Sequence, residues 1–400
     1  FFNKLGPGIL MAGAAIGVSH LIQSTRAGAL YGLELLPLIL LVNIIKYPFF
    51  YVGHAYTAQT GENLLQGYYR LGKWFLILFI FMSLLTSVTS VAAVFFVASS
   101  LLSTLIGSSV EPMKLSFFMI VISIMILFWG QYYWLNRLMK LIMGLLFLLT
   151  MIAFFSSLTA VHDFSLYFPF KYQFLEKNSW VFIIALMGWM PAPIEMSVWQ
   201  SLWIEEDEKD KKQKTSFKEA LFDFNFGYIL TTFLALIFLC LGAFIMYPKE
   251  MTFPENGSLF AAKLVGLYGE VVGLWVIPII SLACFFTIFS TSLTVLDAYP
   301  RSIAKGVAIL RQKEEKKRVF FLVTLFVSFL SLALLSFFSN QLKMLVDFVT
   351  IVSFLSAPFF ATLNYKLFKT LNEKKREMSF VFGLIFLYSF SIITISIKFF

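Results

Sequence analysis

A chain of 400 residues with 59% hydrophobic and only 13% charged residues has too few charges to clothe soluble domains, which use about a quarter of their residues that way. Its 49 phenylalanines need lipid, and the net charge of +9, which in a soluble chain would suggest nucleic acid, is read here through its placement. The composition describes an all-α polytopic membrane protein in which basic residues report topology.

A span needs about 20 mostly apolar residues, and eleven stretches qualify: 6–31, 35–56, 74–106, 114–133, 138–160, 180–203, 221–247, 270–299, 319–339, 344–368 and 379–400. With the N-terminus cytoplasmic, the inside segments hold Lys4, Arg70, Lys73, Arg137, Lys140, the lysines of 209–218, and the clusters at 301–318 and 366–376. The outside segments hold Lys114, Lys171, Lys177, Lys249 and Lys263. That asymmetry predicts an N-terminus inside and, with an odd span count, a C-terminus outside. The runs 205–214 and 311–318 read as solvated mixed-charge loops. Cys240 and Cys284 both sit in apolar runs, so no disulfide framework is expected. No soluble domain or cleavable leader is expected ahead of the first span.

Two spans break the apolar pattern. The first carries Gly6, Gly8, Gly13 and Gly17, and the sixth carries Gly188, Pro191 and Pro193 near its middle. Two prolines remove two backbone donors, and a membrane tolerates such breaks where the freed backbone lines a cavity or is buried in protein. Interruptions five spans apart point to an inverted-repeat transporter with its site at the midplane. Packing kinks are the alternative, because glycine and proline are common in membrane helices.

The stretches GPG (6–8), GALYG (28–32), KYPFFYVGHAYTAQTGENLLQGY (46–68) and ALMG (185–188) resemble the Nramp family of divalent-metal transporters, and the likeness covers most of the chain. It implies the leucine-transporter fold: a first inverted repeat of five spans (1–160), an extracellular loop (161–179), a second repeat (180–368), then a cytoplasmic loop and an eleventh span (369–400). The family's metal-holding Asp-Pro-Gly-Asn falls on Gly17, Val18, Ser19 and His20. Its Met-Pro-His falls on Ala192, Pro193 and Ile194, and a glutamine of its tenth helix falls near Thr350. The acids and histidines that serve proton coupling in the family's third and sixth helices are missing, and the third span offers Ser83, Thr86, Ser87, Thr89 and Ser90 instead. The fold is therefore expected to carry over and the manganese or iron cargo is not.

The resulting substrate site is expected from Gly17, Val18, Ser19, His20, Met190, Ala192, Pro193, Glu195 and Thr350. With the carboxylate replaced by Gly17 and the thioether by Ala192, little remains to offset dehydration of a divalent ion. His20, Arg26 and Lys46 bring cationic character near the cavity, and half-helix N-termini attract anions. A small anion of the bicarbonate type leads. A hydrated divalent cation such as magnesium, carried on Glu195, follows.

Bland readings stand beside these: Arg26 snorkels to the interface, Lys46 on a face with Asn43, Phe50 and His54 is a scaffold residue, and His20 is a packing group. In the eighth span Ser290, Thr294, Asp297 and Arg301 form a helical stripe. Ser290, Thr291 and Thr294 are candidate ligands for a co-transported sodium ion or packing hydroxyls, while Asp297 is expected to pair with Arg301. An enzyme is disfavoured, since the three histidines (His20, His54, His162) form no metal-ligand or catalytic spacing. No cofactor is expected. The partners are the bilayer and a small inorganic ion, with no nucleic acid, and the monomer is expected to suffice.

Overall fold

The computed structural model describes residues 6–107, 110–129, 132–159, 167, 176–211, 215–338, 341–371, 373 and 376–396, all of it helix and connection. His162 and most of the expected loop 161–179 lie outside the described residues.

The first span is broken as its glycines predict. It runs as α1 (Pro7–Ala15), a π-helical turn (Ser19–Ser24) and α2 (Thr25–Tyr31), with a bend of 47° across the break. π turns of this kind cluster at functional positions. After it come α3 (Leu36–Thr60), the short α4 (Leu64–Leu71), α5 (Lys73–Leu105), α6 (Pro112–Phe128) and α7 (Tyr132–Leu158). The sixth span is likewise divided, into α8 (Lys177–Trp189) and α9 (Met196–Lys211). The remaining helices are α10 (Phe217–Leu241), α11 (Gly257–Val272), α12 (Ile277–Arg311), α13 (Lys317–Phe337), α14 (Leu342–Phe368) and α15 (Glu377–Ser396).

Seven of these are long and apolar enough to cross a membrane on their own, the broken first span makes an eighth, and three shorter apolar helices lie at Pro112–Phe128, Gly144–Leu158 and Ser179–Trp189. Most expected limits fall within a few residues of a helix end. Three do not. The span expected at 270–299 starts later and ends later, because Gly273 at φ +114° separates α11 from α12. The run at 205–214 is not a loop through Lys211, since α9 continues the sixth span into it. Two short helices were also invisible to a search for apolar length. In α4, Asn63 accepts from the Gln66 backbone and the Gln66 side chain accepts in return from Asn63, a reciprocal cap that fixes its start. In α11, Asn256 of the Asn-Gly-Ser triplet caps the helix through the Leu259 N–H.

α5 forms the centre of the bundle, packing on α12, α13, α6, α11 and α14. Phenylalanine is less a lipid-facing residue here than the composition suggests: Phe49, Phe50, Phe79, Phe95 and Phe96 are fully buried, while Phe81, Phe117 and Phe329 face outward.

The first span is clasped to α10 along its length by close backbone contacts. A Cβ at Gly8 would lie 2.1 Å from the Asp223 carbonyl oxygen, and one at Gly227 would lie 2.2 Å from that of Gly8. Farther along, a Cβ at Gly28 would come within 1.9 Å of the Leu239 oxygen and one at Gly242 within 2.1 Å of the Thr25 oxygen. Only glycine permits backbones to approach so near. The Asp223 carboxylate completes the clasp, accepting from the Gly6 and Gly8 N–H groups at 3.1 and 2.6 Å. A carboxylate there satisfies orphaned donors at the positive end of α1.

Candidate substrate site

The two breaks face each other. α1 packs against α9 and the π turn packs against α8, so each half of one interrupted span meets a half of the other. Between them lies a cavity of about 30 Å³, enough for a water or a small ion. Ala14, Ala15, Val18 and Ser19 line it from the first span, and Trp189, Pro191, Ala192, Pro193, Met196 and Trp199 from the sixth. Ser90 and Val94 of α5, with Thr291, Val295 and Tyr299 of α12, close it.

Of the residues expected at the site, Val18, Ser19, Ala192, Pro193 and Thr291 reach this wall. Gly17 packs against Thr291, whose Oγ1 would lie 2.9 Å from a Cβ there. Met190 and Thr350 are buried but outside the lining. Thr350 donates to the Val346 carbonyl at 2.8 Å, and its own carbonyl oxygen would stand 1.9 Å from a Cβ at Gly188, which brings α8 and α14 into backbone contact. Ser290 and Thr294 stay just inside the protein surface on α12.

The expected cationic groups point elsewhere. His20 is fully buried, its Nε2 3.0 Å from the Thr231 carbonyl on α10 and its Nδ1 2.7 Å from the Ser19 hydroxyl. It ties the first span to α10. Arg26 does not snorkel: its guanidinium makes a bidentate pair with Asp347 at 2.7 and 2.9 Å, bonds Gln23 at 2.9 Å and stacks over Phe182. Lys46 has 0% exposure. Its ammonium donates to the carbonyls of Met187 and Gly188 at 2.7 and 2.8 Å, with that of Ala192 at 3.4 Å. The last turn of α8 has carbonyls with no helical partner, and Lys46 satisfies them from α3. Asp297 pairs with Arg301 at 2.6 Å, and Arg301 also reaches Glu206.

Glu195 is 1% exposed and sits behind the wall. Its carboxylate accepts from the Thr86 hydroxyl at 2.9 Å and from the Tyr299 hydroxyl, whose oxygen lies 3.2 Å from that of Ser90. Tyr299 thus stands between this carboxylate and the cavity, with its ring edge-on to Trp199.

The most informative residue here, Tyr299, escaped the sequence reading. Thr291, Val295 and Tyr299 follow a four-residue period on the face beside the Ser290 stripe, and that period was legible. Met196, one turn beyond Ala192, likewise returns a thioether-bearing residue to the wall. No group of three or more histidine, cysteine, aspartate or glutamate side chains able to hold a metal occurs among the described residues.

Two interrupted membrane helices meeting head to tail around a central cavity define a transporter fold. The solved structures agree: a manganese transporter of Eremococcus coleocola matches with a TM-score of 0.69 at 14% identity, over 98% of this chain and 85% of that one. MhsT in complex with L-phenylalanine matches with a TM-score of 0.61 at 12% identity, over 98% of each chain. Residues 8–398 match the family model described as natural resistance-associated macrophage protein-like. The chain belongs to the Nramp family, and it is a multi-pass membrane protein. An uncharacterised protein of Pasteurella multocida (strain Pm70) is 37% identical over 406 aligned positions, 99% of this chain and 92% of that protein.

Proposed function

We propose that this Nramp-family transporter carries a small inorganic anion of the bicarbonate type by alternating access, rather than dehydrated manganese or iron. One observation carries the reading: the cavity at the paired breaks has no ionised side chain among its described lining residues, and the carbonyl end of α8 beside it is already occupied by Lys46. The positive ends of the π turn and of α9 then favour an anion, against the α1 carbonyl end that meets the same cavity at Ala14 and Ala15. In this reading the N-terminus is cytoplasmic, residues 1–160 and 180–368 are the two inverted halves, and the monomer is the working unit.

Sodium coupling belongs to the same proposal. Thr291 Oγ1 lies 3.5 Å from the Gly13 carbonyl oxygen in the last turn of α1, where a hydroxyl and helix-end carbonyls could share a sodium ion. Ser290 and Thr294 are its neighbours on α12.

A second reading, a hydrated divalent cation such as magnesium, is favoured by Glu195 behind Tyr299. Lumen-pH measurements in proteoliposomes separate the two. Carbon dioxide leak acidifies the lumen, whereas bicarbonate entry makes it alkaline. Protein-dependent alkalinisation after external bicarbonate, enhanced by an inward sodium gradient, is the expected result. Lumens indistinguishable from empty liposomes, together with protein-dependent magnesium uptake, would replace the anion by the cation.

A further inference from the structure

Lys46 lies ten residues into the 25-residue α3, about 15 Å from one end and 20 Å from the other at 1.5 Å per residue. From there a lysine stem does not reach either membrane surface. An ammonium held at such depth is costly unless it is well paired. Its recorded partners are all carbonyl oxygens, and the carboxylate of Glu195 is engaged by Thr86 and Tyr299. Three N–H donors thus face three carbonyls, the full donor capacity of an ammonium. Rings of backbone carbonyls are what membrane proteins use to hold dehydrated monovalent cations.

We infer that the carbonyls of Met187, Gly188 and Ala192 form a monovalent-cation site, and that the Lys46 ammonium is its resident, tethered cation. The site bridges the break: two of its ligands end α8 and the third lies in the unwound segment, so the tethered charge fixes where Trp189, Pro191, Ala192 and Pro193 meet the cavity. Lys46 is a positioning residue in this scheme, and it acts through the backbone. A free cation at this point would have to be bound and released in each cycle, whereas a tethered one stays. The inference is independent of which ion is carried.

Cutting the tether should expose the site. Purified full-length Lys46→Ala in detergent is expected to melt about 5 °C or more below the wild type in tetramethylammonium chloride. Ethylammonium or propylammonium chloride, which restore three N–H donors and part of the stem, should recover at least half of that loss and saturate with concentration. The wild type should respond equally to all three salts. Primary amines that act on Lys46→Ala no better than tetramethylammonium would overturn the inference. Lys46→Met, which keeps the volume of the stem without its charge, is the second variant, in case Lys46→Ala does not fold. It should melt well below the wild type, and a Lys46→Met protein that melts with the wild type would also overturn the inference.

Discussion

Removing one oxygen atom tests the arrangement around Glu195. In Tyr299→Phe the ring keeps its edge-on contact with Trp199, but Glu195 keeps only the Thr86 hydroxyl among its recorded donors. Because Glu195 is 1% exposed, bulk water does not replace the lost donor. A hydrogen bond to a buried acidic group contributes about 1.5–3 kcal/mol. For a chain of this size that corresponds to a fall in apparent Tm of about 2–4 °C. The assay is thermal unfolding in detergent of Tyr299→Phe, Glu195→Gln and the double variant. The two residues bond directly, so the double variant should lose less than the sum of the singles by at least about 1 kcal/mol. Additive losses, or a Tyr299→Phe protein that melts with the wild type, would refute the claim that Tyr299 holds this carboxylate away from the cavity.

Other outcomes follow from the packing. Gly188→Ala places a Cβ 1.9 Å from the Thr350 carbonyl oxygen, a backbone clash that no rotamer relieves. It should cost about 3 kcal/mol or more, read as loss of monodisperse protein in size-exclusion chromatography. Asp223→Asn keeps the shape of the α1 cap and removes its charge, so apparent Tm should fall by an amount equivalent to about 1 kcal/mol. Arg26→Met leaves the Asp347 carboxylate with the Gln23 amide as its remaining recorded donor and should cost about 3 kcal/mol, whereas Arg26→Met with Asp347→Asn should recover part of that in the same melt.

Much of the architecture was legible because membrane crossing is a local property. Apolar length located the long helices, and Gly17, Pro191 and Pro193 located both breaks before any contact was known. What stayed hidden was either amphipathic or tertiary. α4 is too short and too polar, and α11 too short, to register as spans. In the site, the chain showed that Lys46 and Glu195 were buried charges in need of partners, and it invited pairing them with each other or with the cargo. Instead Lys46 found peptide carbonyls, which no side-chain pattern reveals, and Glu195 found two hydroxyls on different helices. Asp347, which accounts for Arg26, lies 321 residues away. The eighth span illustrates the limit most plainly: its polar stripe was readable, but a rotation of one residue separates that stripe from the Thr291–Val295–Tyr299 face that lines the cavity.

The glycine clasp between the first span and α10 constrains how any cycle of opening and closing could proceed. Contacts between side chains can slide, since rotamers re-pack at small cost, but carbonyl oxygens seated where glycines lack a Cβ leave no slack for shear. The clasp is present on both sides of the first-span break, at Gly8 and Gly227 and again at Gly28 and Gly242, and His20 adds a bond between them at Thr231. Each half of the broken helix is thus held to the seventh span separately. A swing of α1 alone would need α10 to bend with it, and the π-helical turn at Gly242–Met246 that follows α10 supplies a weak point beside the second clasp. In an alternating-access cycle the seventh span would therefore move with the first, while the contact with α12 is the looser one, with side-chain atoms of Thr291 nearest Gly17.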